Sequence, residues 1–208
     1  MRARKSGAER RTEIVEAAVE LADAVGPERL TTSTIADCIG LSQAAVFKHF
    51  PTKQSIWEAI VAWLAERLER RWAAARRPGM SAEEALRAVL RNHLETVQSV
   101  PAIPSILFSR ELHSRNEALR HGLESLMRRF HAHLAAIIAK GKREGAFRGD
   151  LDETDAAYLA LGVVQGLVIR WSLGGRVLDL PNEGDRMVTL LVQGFLPNAD
   201  TASMPHET

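Results

Sequence analysis

Between Thr31 and Phe50 the chain reads TTSTIADCIGLSQAAVFKHF. Hydrogen-bonding side chains crowd into this stretch: Thr31 and Ser33 before a glycine, then Ser42, Gln43, Lys48 and His49 within about two helical turns after it. Hydroxyls and an ammonium suit phosphate oxygens, and an amide can pair with a base edge, adenine being the best partner for Gln43. Groups for bond-breaking chemistry do not assemble. The sequence has no G-x-S-x-G elbow, no Gly-rich phosphate loop and no H-E-x-x-H pair. An enzyme is therefore not expected, and no catalytic residue is assigned.

Two short helices and a tight turn would hold those side chains. Thr31 can cap a helix running to Ile39, and Gly40 can take the positive φ of the turn. Ser42 can cap a second helix running to about Phe50. Ile35, Ala36, Ile39, Leu41, Val46 and Phe50 are spaced to lock the pair together. The small Ala44 and Ala45 would let the start of the second helix approach another surface closely. Before this pair, Ile14, Ala17, Ala18 and Leu21 follow the i, i+3, i+4, i+7 pattern of one buried face, and Gly26-Pro27 ends that helix. The layout is that of a helix-turn-helix, whose second helix enters the DNA major groove. A plain helical hairpin has the same outline.

Residues 10–56, RRTEIVEAAVELADAVGPERLTTSTIADCIGLSQAAVFKHFPTKQSI, resemble the N-terminal DNA-binding domain of the TetR/AcrR family of transcriptional repressors. The resemblance rests on Ile14-x-x-Ala17-Ala18, Gly26, Thr31-x-x-x-Ile35-Ala36, Gly40-Leu41-Ser42 and Phe47-x-His49-Phe50-x-x-Lys53. It implies that Thr31 and Ser33 touch phosphate and that Ser42, Gln43 and Ala44 open the recognition helix. It makes Lys48 a guanine or phosphate contact and Lys53 a phosphate clamp. Phe47 stands where the family usually has Tyr, so a hydroxyl contact is lost and a thymine-methyl contact is open to it. His49 is common at its position.

The resemblance also implies an all-α fold in two parts. A three-helix helix-turn-helix DNA-binding domain spans 1–53, with a basic arm over 1–9. A helical effector-binding and dimerisation domain spans 54–197, and 198–208 form a flexible tail. The implied function is a ligand-responsive regulator, a repressor that binds a pseudo-palindromic operator in double-stranded DNA as a homodimer. A small, largely hydrophobic effector would release it. The alternative is a DNA-binding regulator that responds to a metal or acts without a small molecule.

The residues of the second half fit such a domain. Thr154–Leu173 is apolar nearly all round, so it must be covered on several sides. Gly162 and Gly166 lie four apart on one face and allow close helix approach. With Trp171, Leu191 and Phe195 they form the expected dimer interface. Candidate pocket residues are Trp63, His93, Phe108, Leu112, Phe130 and Gln165. Gln165 needs a buried partner or a ligand amid its apolar helix.

Breaks at Arg77-Pro78-Gly79, at Pro101 and Pro104 and at Gly145–Gly149 separate further helices, with Gly122 a possible interruption of the span 110–144 and a last helix expected from Glu183 to Leu196. Five of the seven histidines fall between 93 and 133. His131 and His133 are two apart and so face different ways, which leaves surface histidines as the expectation and no metal site. Cys38 is the single cysteine, which excludes an internal disulfide; it reads as a small buried residue. No run of 18–20 apolar residues or secretory signal is apparent, so no membrane partner, no cofactor and a cytoplasmic location are expected.

The 208 residues carry a formal net charge of +1. Residues 1–149 hold 24 Lys+Arg against 17 Asp+Glu, a net +7, and residues 150–208 hold three against nine, a net −6. A near-neutral total thus covers a basic part and an acidic part. The arm Arg2–Arg11 is the most basic segment. It fits either a solvated tail or added non-specific DNA affinity.

Overall fold

The computed structural model describes residues 5–197. The arm's first four residues and the expected tail over 198–208 lie outside the described residues. Among those described, every regular element is helical. They are α1 (Gly7–Val25), a 3-10 turn (Pro27–Arg29), α2 (Thr32–Ile39), α3 (Gln43–His49), α4 (Lys53–Ala75), α5 (Ala82–Ser99), α6 (Ala102–Phe108), α7 (Arg110–Arg115), α8 (Glu117–Arg143), α9 (Glu153–Leu173) and α10 (Leu180–Gln193). Contacts gather them into two compact units. One is the chain up to Arg67 with Val100–Leu126, and the other is Leu68–Ser99 with the chain from Met127 on. The DNA-reading helices therefore share a unit with the first part of α4 and with α6 and α7.

In the first unit α1 begins at Gly7, earlier than the apolar pattern alone requires. Ser6 Oγ accepts from the Glu9 amide at 3.2 Å and the Glu9 carboxylate accepts from the Ser6 amide at 2.7 Å. This reciprocal cap fixes the helix start and holds the Glu9 carboxyl below its usual range. Ile14, Ala18 and Ala22 line its buried side, and α2, α3 and α6 pack around α1. Gly122 does not interrupt α8. It lies inside the helix because a Cβ there would sit 2.8 Å from Val61 Cγ1, so α8 can pass α4 closely only at a glycine. The break in the span 110–144 falls instead at Asn116, whose Nδ2 donates to the Leu112 carbonyl at 2.9 Å.

In the second unit α5, α9 and α10 pack together. Gly184 of α10 lies against Leu94, where a Cβ would come within 2.1 Å of Leu94 Cδ1. Gln98 Oε1 accepts from the Leu180 amide at 2.8 Å, and Arg87 donates to Thr189 Oγ1 at 2.9 Å. These bonds help seat α10, which starts at Leu180 and not at Glu183, with Pro181 in its first turn where a missing N–H costs nothing. Phe147 fills the space beside Gly141 and meets Phe195 edge-on at 6.1 Å. Helix α9 is long and apolar enough to cross a membrane, with a mean hydropathy of 1.4 over its best 18 residues, contrary to the expectation that no stretch would be. Ala157, Ala160, Val164, Val168 and Trp171 are nevertheless buried within the unit.

Candidate nucleic-acid interface

Helix α2 starts on a reciprocal cap. Thr31 Oγ1 accepts from the Thr34 amide at 3.1 Å, and the Thr31 amide donates to Thr34 Oγ1 at 3.0 Å. The helix ends at Gly40 with φ 66° and ψ 39°, the left-handed conformation that favours glycine. The Leu41 amide then returns to the Ala36 carbonyl at 2.9 Å, which closes the turn. Ser42 Oγ accepts from the Ala45 amide at 3.2 Å and starts α3. Ile35, Ala36, Val46 and Phe50 are buried and join the two helices, as their spacing predicts. Ile39 and Leu41 are half-buried.

This packing leaves one polar side outward. Thr31, Ser33, Ser42, Gln43, Ala44, Phe47, Lys48 and Lys53 are exposed, and His49 is half-buried. Phe47 keeps 42% of its surface exposed. Ser42 and Thr31 serve as caps while their residues stay on the surface. Cys38 is exposed, not buried, because the helical period that turns Ile35 and Ala36 inward turns Asp37 and Cys38 out.

Thr32 and Arg115 were not singled out by sequence, whereas Arg11 ends the basic arm. Thr32 is buried, and its Oγ1 accepts from Gln43 Nε2 at 2.8 Å. Arg11 of α1 donates to the His49 carbonyl, and its guanidinium lies 4.2 Å from the centre of the Phe50 ring. Arg115 stands near Lys53, whose pKa is lowered first by partial burial and second by that like charge. The basic arm was legible as a run; the pairing of Thr32 with Gln43 crosses the turn and leaves no local signature.

The pocket candidates divide between the units. In the first, Leu112 is buried, Trp63 is half-buried with the Arg67 guanidinium 5.3 Å from its ring centre, and Phe108 is 40% exposed. In the second, His93 and Phe130 stack at 4.4 Å with 15° between planes, and Trp72 stacks on Phe130 at 4.4 Å. Trp72 Nε1 donates to His93 Nδ1 at 3.1 Å. That bond requires an unprotonated Nδ1, so His93 is the neutral Nε2–H tautomer. Burial agrees, pushing its pKa down from 6.5 to about 4. His93 is thus a half-buried histidine stacked among aromatic rings, not a freely exposed one. His133, 6.3 Å from Trp72 between ring centres, is also pushed down, by burial and then by the Arg76 charge. Gln165 is half-buried on α9. Among the described residues no three His, Cys, Asp or Glu side chains come together as a metal site.

The dimer candidates also divide. Gly162 and Gly166 are exposed, with nothing within 4 Å of where a Cβ would stand. Trp171 and Phe195 are each only 3% exposed and Leu191 is buried, so these three belong to the core of the unit. Their neighbours on the same helices take the outward places: Leu159, Ile169 and Leu173 on α9, Met187 and Leu190 on α10.

An all-helical chain with an exposed recognition helix on a capped helix-turn-helix is a DNA-binding regulator by architecture. Residues 14–60 match the bacterial regulatory proteins of the tetR family, and residues 63–194 match the C-terminal region of YsiA-like protein. The chain belongs to the TetR family of DNA-binding transcription regulators. It is 30% identical to the nucleoid occlusion factor SlmA of Vibrio atlanticus over 163 residues, which are 78% of this chain and 83% of that protein. In fold it resembles a putative transcriptional regulator from Saccharomonospora viridis in complex with choline (22% identity, TM-score 0.81, covering 92% of this chain and all of that one). It also resembles the regulator FadR from Bacillus subtilis in complex with stearoyl-CoA (21% identity, TM-score 0.73, covering 88% and 98%). Family and fold are those of transcription regulators.

Proposed function

We propose that the protein is a ligand-responsive repressor that binds a pseudo-palindromic operator as a homodimer. The observation that carries this reading is the outward row Ser42, Gln43, Ala44, Phe47 and Lys48 on α3, backed by the fully buried Val46 and Phe50. In the proposal Gln43 and Lys48 read base edges, Thr31, Ser33 and Lys53 hold phosphates, and Phe47 meets a thymine methyl. The part that reads DNA is residues 1–53, and residues 54–197 receive the effector and the second subunit. The exposed apolar stripe on α9 and α10 would pair with its two-fold mate.

The proposed effector is small and largely hydrophobic. Entering at Trp72, His93 and Phe130 it would have to part stacked rings, and Trp72 lies on the same helix as Lys53. Motion of α4 would then shift the balance between DNA-competent and DNA-incompetent states. Two solved relatives in fold hold choline and stearoyl-CoA, which supports ligand control in general but does not choose a ligand.

The experiment is selection of binding sites from random DNA, followed by titration of the best palindrome against a small-molecule library. A dyad-symmetric site released by a compound is the expected result. A second reading follows from the similarity to SlmA: a DNA-binding factor of nucleoid-occlusion type that acts without a small molecule. Chromosome-wide binding at many dispersed sites, with no compound altering affinity, would favour that reading and overturn the first.

A further inference from the structure

Just past the end of α4, Arg76 and Arg77 meet Lys140 of α8 around a cavity of 190 Å³. Ala85 and Ile137 supply its apolar lining, and Met80 stands at its side. All of these residues lie in the second unit. Two cations after a helix C-terminus suit the helix dipole by themselves. Lys140 comes from another helix, so the convergence is a tertiary feature and not a capping habit.

Lys140 is partly satisfied. Its Nζ donates to the Met80 carbonyl at 3.4 Å and lies 3.4 Å from Glu144. Among the described residues no carboxylate pairs with Arg76 or Arg77. One acid against three cations leaves an excess of two positive charges around a small concavity, with Arg76 and Arg77 exposed and Lys140 half-buried, so an arriving anion meets them without first displacing a carboxylate.

We propose that this cavity binds a phosphoryl group, either free phosphate or the phosphate of a monoester on a small organic molecule. A phosphate monoester carries a charge of about −1.5 to −2 at pH 7 and three acceptor oxygens, which matches the excess of two and the fork geometry of two arginines. A carboxylate offers one charge and two oxygens. Drug-sized ligands occupy roughly 300–1,000 Å³, so 190 Å³ takes a head group and leaves the remainder outside. Ala85 and Ile137 would meet the first carbons of an ester.

Isothermal titration of the full chain, without DNA and in phosphate-free buffer, tests this with inorganic phosphate, phenyl phosphate and benzoate. The expected result is saturable binding of a phosphate compound, weakened at least tenfold in Arg76→Ala/Arg77→Ala and in Lys140→Met, with helical circular dichroism unchanged. Phenyl phosphate at least tenfold tighter than phosphate assigns a monoester, and equal affinities assign the free ion. No saturable heat from either, equal affinity in the variants, or benzoate as tight as phenyl phosphate overturns the proposal. If the double variant loses helicity, Arg77→Lys decides: weakened binding supports the site and unchanged binding rejects it. Because no DNA is present, a negative result leaves the DNA-binding reading standing.

Discussion

Gln43 uses one amide hydrogen on Thr32 Oγ1, which leaves its Oε1 and a second hydrogen free for a base edge. A side chain already held in place loses less freedom on binding. Gln43→Ala is therefore expected to cost about 1–3 kcal/mol at one base pair and little elsewhere. Thr32→Val, nearly the same shape without the acceptor, should relax discrimination at that same base pair, and Thr32→Ser should restore it. Neither change should alter the salt slope, because neither residue carries charge. Loss spread equally over all operator variants would make Gln43 a phosphate contact and Thr32 a bystander. His93 gives a prediction of a different kind. Its pKa falls from 6.5 to about 4 on folding, so between those values the unfolded chain binds the extra proton. Stability contributed by neutral His93 is complete above pH 6.5 and is lost as pH falls towards 4, by up to about 3 kcal/mol. Urea denaturation at pH 7 and pH 5 should show a smaller acid loss in His93→Phe than in the unaltered chain; equal losses would place the titration elsewhere.

Among the helices, close approach is set by glycines whose role depends on what they face. At Gly141 an added Cβ would stand 2.2 Å from Phe147 Cδ2 and 2.8 Å from the Ala82 Cβ. Alanine gains about 1 kcal/mol of helix propensity over glycine, but overpacking a filled site costs about 1–3 kcal/mol. Gly141→Ala should be net destabilising, read as a lower denaturation midpoint. Gly184→Ala should cost less, because its obstacle is the end of the Leu94 side chain, which can turn. A midpoint raised by Gly141→Ala would contradict the packing around Phe147. Two other glycines, Gly40 and Gly122, show where sequence stops being informative. Caps and the Gly40 turn were legible because both partners lie within a few residues, so local rules suffice. The apolar pattern of α8 was legible too, but not which glycine would break it, since Gly122 answers to Val61 on another helix. The stack of Trp72, His93 and Phe130 draws on three helices, and periodicity gives each a face without naming what that face meets. Trp171 and Leu191 show the same limit: a helix with apolar residues on every side does not say which side its own subunit covers, and both are buried within theirs.

For the whole molecule the question is what covers the outward side of α9 and α10. Leu159, Gly162, Gly166, Ile169 and Leu173 recur at alternating spacings of three and four, so they share one face of α9. Leu173 is 84% exposed and Leu190 on α10 is 62% exposed. Alanine at Gly162 or Gly166 would meet no atom of the subunit and would favour the helix by about 1 kcal/mol, so the subunit gains nothing from glycine at either place. A second copy of the helix crossing there would gain, because only glycine lets two backbones come so near. A homodimer through this face also supplies the two recognition helices that a palindrome needs. Residues 150–208 carry net −6 and residues 1–149 net +7. Gly166→Trp is thus expected to yield a monomer in sedimentation at micromolar concentration, with unchanged helicity because the indole has open space within its own subunit. The monomer should bind a single half-site weakly and lose cooperative binding to the palindrome. A dimer that survives Gly166→Trp with full operator affinity would move the interface off this face.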